Sequence, residues 1–220
     1  WSTSQLRAHQ GLALQRFLRQ VVETVPFYRS YFKHHGLTPD DFQHVGILAH
    51  LPITDKEWMR ARAHELRAEE CGPLIAQRTS GSTGEPYEFF LSKTRISHDI
   101  AAKWRATRWW NVDVGDREMV LWGSAIEGDR QDRVRRWRDA LLRSRLVPTH
   151  ELHPARLDQI LADIRAFRPR QLFGYPSALA RVAFHAQERG IDLSAAGIRV
   201  AFCTSETLRP EWRHAIATAF

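Results

Sequence analysis

A chain of 220 residues with 43% apolar side chains can build a real core in one large domain or two small ones, which excludes a disordered class. No run of about 18 apolar residues occurs, so no transmembrane segment is expected, and WSTSQLRAHQ lacks the basic-then-apolar layout of a secretory signal. The formal charge of +7 is mostly arginine, the lysines being Lys33, Lys56, Lys93 and Lys103, and the two cysteines, Cys71 and Cys203, exclude a disulfide framework and point to a reducing cytoplasm.

The first 70 residues predict helices. Residues 3–25 are amphipathic, with Leu14, Phe17, Leu18, Val21, Val22 and Val25 at helical spacing, and Pro26 ends or kinks that helix. FYRSYFKHHG predicts a second helix, with Gly36 suited to the left-handed position after its end. Thr38-Pro39-Asp40-Asp41 starts another turn, and LPITDKEWMRA repeats the pattern with Thr54 or Asp55 as cap. The texture changes at CGP, residues 71–73, which suggests a helical segment over 1–72 and an α/β part over 73–220.

Beyond that boundary, 74–79 and 87–92 predict two strands around RTSGSTGEPYEFF. TRISHDIAAKWRATRWW predicts a helix ending near Asn111, where Trp104, Trp109 and Trp110 read as core and surface packing. REMVLWG (117–123) predicts a strand. The run DRQDRVRRWRDALLRSR (129–145) predicts a helix with Val134, Trp137 and Leu141 on one face. Its arginines are either a solvated face or a surface for anions, nucleic acid or membrane. HPARLDQILADIRAF predicts a helix, RQLFG a strand, PSALARVAFHAQERG a helix closed by Gly190, and IRVAFC (198–203) a strand. This alternation argues for α/β layering with largely parallel pairing.

Few residues are candidates for chemistry. His150-Glu151-Leu152-His153 lacks the one-turn spacing of a zinc HExxH and reads as a loop; no GxSxG occurs, and Cys203 reads as an inert thiol in an apolar strand. The segment 79–84, Thr-Ser-Gly-Ser-Thr-Gly, places four hydroxyls and two glycines between strands. It suits either a polar hairpin turn or a concave nest of N–H and hydroxyl donors for phosphate. Glu85-Pro86 follows instead of lysine and a helix, which excludes a Walker A loop. Thr204-Ser205-Glu206 ends a strand, where α/β sheets bind ligands, and Thr204 or Ser205 alternatively caps the following helix. Gly174-Tyr175-Pro176-Ser177 holds the same topological place and reads as a tight turn or as a pocket wall.

The order [ST]-S-G-[ST]-T-G-x-P resembles the phosphate signature of the adenylate-forming, AMP-binding enzymes, the acyl-CoA synthetase and aryl-CoA ligase superfamily. VPFYRSYF, GLTPDD and LPITDKEWMR before it resemble the phenylacetate-CoA ligase branch. GYPSALARVA and FCTSETLRPEWRHAIATAF after it resemble that branch's members associated with capsular polysaccharide biosynthesis. The resemblance implies an α/β large domain following a helical N-terminal segment, with a largely parallel sheet that is incomplete at the C-terminus. It places the ATP β- and γ-phosphates on Thr79, Ser80, Gly81, Ser82, Thr83 and Gly84, and the adenine pocket on Thr204, Ser205 and Glu206. The substrate pocket falls on Trp122, Gly123, Tyr175, Pro176 and Ser177.

Two departures matter. The family signature often has lysine at the place of Glu85, whose carboxylate must face solvent or pair with an arginine such as Arg78 beside a triphosphate. Trp122-Gly123-Ser124 does not keep the aromatic, glycine-rich run of the phenylacetate enzymes, which argues against phenylacetate itself.

The implied activity is ATP-dependent activation of a small carboxylic acid to an acyl- or aryl-adenylate, with Mg²⁺ as cofactor and transfer to a thiol such as CoA. The alternative is a non-catalytic homologue in a polysaccharide pathway, and a weaker one is a basic polyanion-binding domain. Specific nucleic-acid binding is not expected, and a homodimer is compatible with the reading. The chain starts at Trp1 and stops at Phe220 within a predicted helix, so a longer protein is expected. The family's aromatic-Gly-x-x-Glu motif, whose glutamate helps with the metal, and its mobile C-terminal domain would follow position 220. No catalytic residue or metal ligand is therefore assigned within 1–220, and this piece alone is expected to be inactive.

Overall fold

Ser2 and Gln5 start the first helix by exchanging hydrogen bonds: the Ser2 hydroxyl accepts from the Gln5 N–H (3.2 Å) and the Gln5 side chain accepts from the Ser2 N–H (2.8 Å). In the computed structural model, which describes residues 1–69, 72–79, 87–123 and 137–220, this helix α1 spans Thr3–Thr24. Pro26 opens α2 (Pro26–His35), and Gly36 closes it in the left-handed conformation at φ 62°, as the sequence predicts. Two 3₁₀ segments, Pro39–Asp41 and Val45–His50, lead to α3 (Lys56–Ala61), which Asp55 caps through the Trp58 N–H. Leu18, Phe32 and Phe42 form the buried centre of these elements. Gly11 lies where α1 meets the following chain: a Cβ there would stand 2.1 Å from the Gln43 carbonyl oxygen, so only glycine permits the approach.

Strands β1 (Leu74–Arg78) and β2 (Glu88–Ser92) pair antiparallel, from Leu74 opposite Ser92 to Arg78 opposite Glu88. The chain divides into two units, Trp1–Ser97 and His98–Phe220. The hairpin thus belongs to the first unit, and the division falls later in the chain than the change of texture at 72/73.

The second unit is built on four parallel strands: β3 (Glu118–Trp122), β4 (Ser144–Pro148), β5 (Gln171–Gly174) and β6 (Val200–Cys203), in the order β4-β3-β5-β6. Helix α4 (Lys93–Arg108) precedes the sheet. Helices α5 (Pro154–Phe167) and α6 (Pro176–Glu188) make the crossovers, and α7 (Pro210–Ala219) follows β6. Their apolar stripes explain the layering: Leu157, Ile160, Leu161 and Ile164 of α5 and Leu179 and Val182 of α6 bury against Met119, Leu121 and Leu172 of the sheet.

The largest correction to the sequence reading falls at 129–145. The predicted helix 129–145 does not reach Arg145: residues 137–141 are helical, Arg143 turns left-handed at φ 53°, and Ser144–Pro148 is strand β4. Trp137 and Leu141, assigned to a packed face, are 80% and 81% exposed, and Val134 lies outside the described residues. The predicted strand 198–203 is shorter, beginning at Val200. Trp104, Trp109 and Trp110 all reach the surface.

A polar rung fixes the register at the start of the sheet. Glu118, only 7% exposed, takes Lys103 Nζ at 2.5 Å, the Ser144 hydroxyl at 2.9 Å and Gln171 Nε2 at 3.1 Å. Replacing it leaves the buried Gln171 amide and the half-buried Ser144 hydroxyl without this acceptor, while the more exposed Lys103 can turn to water. Glu118→Ala is expected to lose about 2–3 kcal/mol by urea unfolding, and Glu118→Gln, which keeps an acceptor, to lose less.

A second polar contact joins the crossover helices. Buried His185 of α6 donates from Nε2 to Asp158 of α5 at 2.7 Å, and Arg189 reaches the other carboxylate oxygen at 2.9 Å. The His185 hydrogen bond, followed by the Arg189 charge, holds the Asp158 carboxyl below the usual carboxylate range. A depressed carboxyl stabilises the fold above its unfolded-state value of about 4, and that contribution is lost as pH falls through the folded-state value. The stability difference between wild type and Asp158→Asn, read from urea midpoints, is therefore expected to be full at pH 6 and to close on acidification below about pH 4.

Candidate functional site

The order β4-β3-β5-β6 places the reversal of winding between β3 and β5, since successive crossovers lead away from β3 on opposite sides. In such sheets the crevice beyond the carboxyl ends of the two strands at the reversal receives ligands. Here those ends are Trp122-Gly123 and Gly174-Tyr175, with Thr204 following the neighbouring β6. Residues that the sequence reading treated as separate pockets therefore share one edge of one sheet.

The geometry of this edge is set by packing. Gly174 passes so close to β3 that an added Cβ would lie 2.3 Å from the Leu121 carbonyl oxygen. That approach brings the Tyr175 ring flat against Trp122, with centroids 4.4 Å apart and planes at 17°, and the Phe173 ring lies 6.0 Å from Trp122. Pro176 occupies the first turn of α6, where its missing N–H costs nothing. The Thr204 N–H donates to the Gly174 carbonyl at 3.1 Å, so the segment after β6 stays tied to β5 for one further step.

Glu206 has a role that the sequence did not reveal. Its carboxylate accepts from the Ser177 N–H at 3.1 Å and so caps α6, where the helix dipole favours an anion. Neither Thr204 nor Ser205 caps the helix after β6, contrary to the alternative reading: α7 starts at Pro210, with Arg209 at its cap position and no side-chain cap bond. Ser205 instead takes a left-handed φ of 70°, which directs the chain so that Glu206 reaches back across 29 residues to Ser177. Nothing local in the sequence marks that bond. Glu206→Ala is expected to lower stability by about 1 kcal/mol in urea unfolding, and Glu206→Asp, with its shorter reach, to recover little of it.

Within the first unit, Thr79 closes the base of the hairpin. Its N–H donates to the Tyr87 carbonyl at 3.0 Å, and its Oγ1 accepts from the Tyr87 N–H at 2.9 Å. While accepting there, the Thr79 hydroxyl still has a proton to donate. Ser80, Gly81, Ser82, Thr83, Gly84 and Glu85 lie outside the described residues, as does Ser124 after Trp122-Gly123. Arg78, suggested as a partner for Glu85, pairs with Glu88 directly across the hairpin at 2.8 Å. Cys203 is half-buried, and burial pushes its thiol up from the ordinary value, in keeping with an unreactive sulfur. Among the described residues no cluster of three or more histidine, cysteine or carboxylate side chains suits a metal ion, and no helix is long and apolar enough to cross a membrane. His153 caps α5, its Nδ1 accepting from the Arg156 N–H at 3.3 Å, and His150–Leu152 lie outside regular structure, so that quartet is the loop the sequence suggested.

This parallel α/β sheet after a helical N-terminal segment is the fold of the adenylate-forming CoA ligases. The chain is similar to 2-hydroxyisobutyryl-CoA ligase in complex with 2-HIB-AMP and CoA in its thioesterification state. The TM-score is 0.66 at 19% identity, covering 98% of this chain and 48% of that one. It is also similar to the postadenylation state of that ligase with R3-HIB-AMP, at a TM-score of 0.65 and 18% identity over 93% of this chain and 45% of that one. In sequence it is 26% identical over 223 residues to the phenylacetate-coenzyme A ligase of Pseudomonas putida, across 98% of this chain. The chain spans about half the length of that curated relative, 48%. No protein-family model matches it.

Proposed function

We propose that the whole protein activates a small carboxylic acid with ATP, forming an acyl-adenylate and releasing pyrophosphate, and then passes the acyl group to a thiol such as CoA. The observation that carries this reading is the similarity to a phenylacetate-CoA ligase along 98% of the chain, which includes the segment Thr-Ser-Gly-Ser-Thr-Gly-Glu-Pro at 79–86. The likeness in fold to a second CoA ligase, solved with acyl-AMP species and CoA, supports it.

In this reading Thr79–Gly84 hold the β- and γ-phosphates, and Thr204, Ser205 and Glu206 line the adenine pocket. Trp122, Gly123, Tyr175, Pro176 and Ser177 border the acid. The chemistry asks for no general base, because a carboxylate is already a nucleophile at neutral pH. What the protein must supply is alignment of the acid with the α-phosphorus and donors for the charge that develops on pyrophosphate. Backbone N–H groups and the hydroxyls of Ser82 and Thr83 are donors of that kind, and Mg²⁺ would share the charge. The flat Trp122–Tyr175 stack offers an apolar wall with a polar hydroxyl at its rim, a surface suited to one face of an organic acid.

The experiment is ATP–pyrophosphate exchange by the full-length protein across aryl, fatty, amino and sugar acids. Exchange that depends on at least one of these acids is expected.

A further inference from the structure

We infer that the opposite, N-terminal edge of the parallel sheet is a second binding site, for a small anion carrying two or more phosphate groups, held by Arg117, Arg168, Arg170 and Arg199. The inference is independent of the ligase reading. It starts from register. Glu118 pairs with Ser144 and with Gln171, and Gln171 pairs with Val200. One residue earlier on each strand stand Arg143, Arg117, Arg170 and Arg199, so every parallel strand is entered through an arginine.

Backbone bonds carry the pairing back through that row. The Arg170 N–H donates to the Arg117 carbonyl at 2.8 Å, the Arg199 N–H to the Arg170 carbonyl at 2.8 Å, and the Glu118 N–H to the Arg143 carbonyl at 3.0 Å. Neighbouring strands are about 4.8 Å apart, and like charges directly opposite one another destabilise a sheet. Arg117, Arg170 and Arg199 nonetheless line one cavity of about 410 Å³, together with Arg168, Ala196, Gly197 and Ile198. Arg168 enters it from the end of α5 in a left-handed conformation, φ 50°, with Nη2 anchored on the Ala195 carbonyl at 3.1 Å.

The positive charge there is barely compensated. Arg170 has Asp116 at 3.8 Å and the Asn111 carbonyl at 3.2 Å. Among the described residues, Arg117, Arg168 and Arg199 form no ion pair. Planar guanidinium forks match phosphate oxygens two at a time. Arg117 and Arg199 bring forks without an ion pair among the described residues, and Arg168 and Arg170, each held by a carbonyl, add positive charge that favours more than one phosphate group. Among the described residues no aromatic ring lines the cavity, so a stacked base finds no platform there, which favours a phosphate-rich small molecule over a nucleic-acid strand.

The test is calorimetric titration of the chain with inorganic triphosphate in metal-free buffer. Wild type is expected to bind, with affinity falling as salt rises from about 50 to about 200 mM. Arg117→Gln/Arg199→Gln is expected to weaken this binding at least tenfold, whereas it persists in Ser82→Ala/Thr83→Ala. Unchanged triphosphate binding in the arginine variant overturns the inference. So does loss in the Ser82/Thr83 variant alone, a result that would instead place the anion in the hairpin segment and leave the ligase reading intact. Should the glutamine variant fail to fold by circular dichroism, Arg117→Lys/Arg199→Lys keeps the charge without the fork. It is expected to bind several-fold more weakly, and wild-type affinity there counts against the site. Tighter, arginine-dependent binding of a thymidine oligonucleotide than of triphosphate also contradicts the small-ligand assignment.

Discussion

Gly174→Ala is expected to be the most damaging single-methyl change in the second unit, lowering stability by about 3 kcal/mol and the midpoint of thermal unfolding by roughly 10 °C. The added carbon would sit 2.3 Å from the Leu121 carbonyl oxygen and 3.0 Å from the Leu121 Cβ. Neither is the far end of a flexible side chain, so no rotamer change relieves the clash; β3 and β5 must move apart. Leu121 is paired with Gly174, and Gly174 with Cys203. Separation there weakens the sheet at its centre and displaces the Trp122–Tyr175 stack one residue further on. A thermal melt resolves the outcome, and an unchanged midpoint would mean that the two strands have room which the geometry denies.

Ser82→Ala/Thr83→Ala is expected to weaken ATP binding roughly a hundredfold while leaving the urea midpoint close to wild type. Each hydroxyl is assigned a hydrogen bond to a charged phosphate oxygen, a contact worth about 1.5–3 kcal/mol, and two such losses at the lower bound amount to about 3 kcal/mol. Thr79→Val belongs to a different category, because the Thr79 Oγ1 accepts from the Tyr87 N–H at the base of the hairpin. That variant is expected to lose stability together with binding, and Thr79→Ser to keep both. Equilibrium binding of ATP measured beside urea unfolding separates the two behaviours.

The layering was legible because it rests on periodic patterns. Leu157, Ile160, Leu161 and Ile164 recur at helical spacing and are buried as a stripe, and the short apolar runs at 118–122, 171–174 and 200–203 are strands. Strand β4 was not legible, for a physical reason. Arg143 turns left-handed where a glycine would normally announce a helix end, and Ser144–Pro148 reads as the tail of an arginine-rich helix until its pairing with β3 is seen. Once β4 is placed on the far side of β3, the winding reversal and its crevice follow.

Of the candidate site, the strand-end residues came from the family resemblance, with which the positional rule for strand ends agrees, and the strand boundaries were right to within two residues. What local sequence could not provide was contact across long separations. The Glu206 carboxylate on the Ser177 N–H spans 29 residues, and the stacking of Trp122 on Tyr175 joins two strands. The arginine row is likewise invisible along the chain, since Arg117, Arg143, Arg170 and Arg199 become neighbours only through register.

Adenylation of an acid by the full-length protein is read out by ATP–pyrophosphate exchange. Exchange is expected to require an added carboxylic acid and to be abolished by Ser82→Ala/Thr83→Ala. Absence of exchange with every aryl, fatty, amino and sugar acid, from protein that is folded and binds ATP, would contradict it.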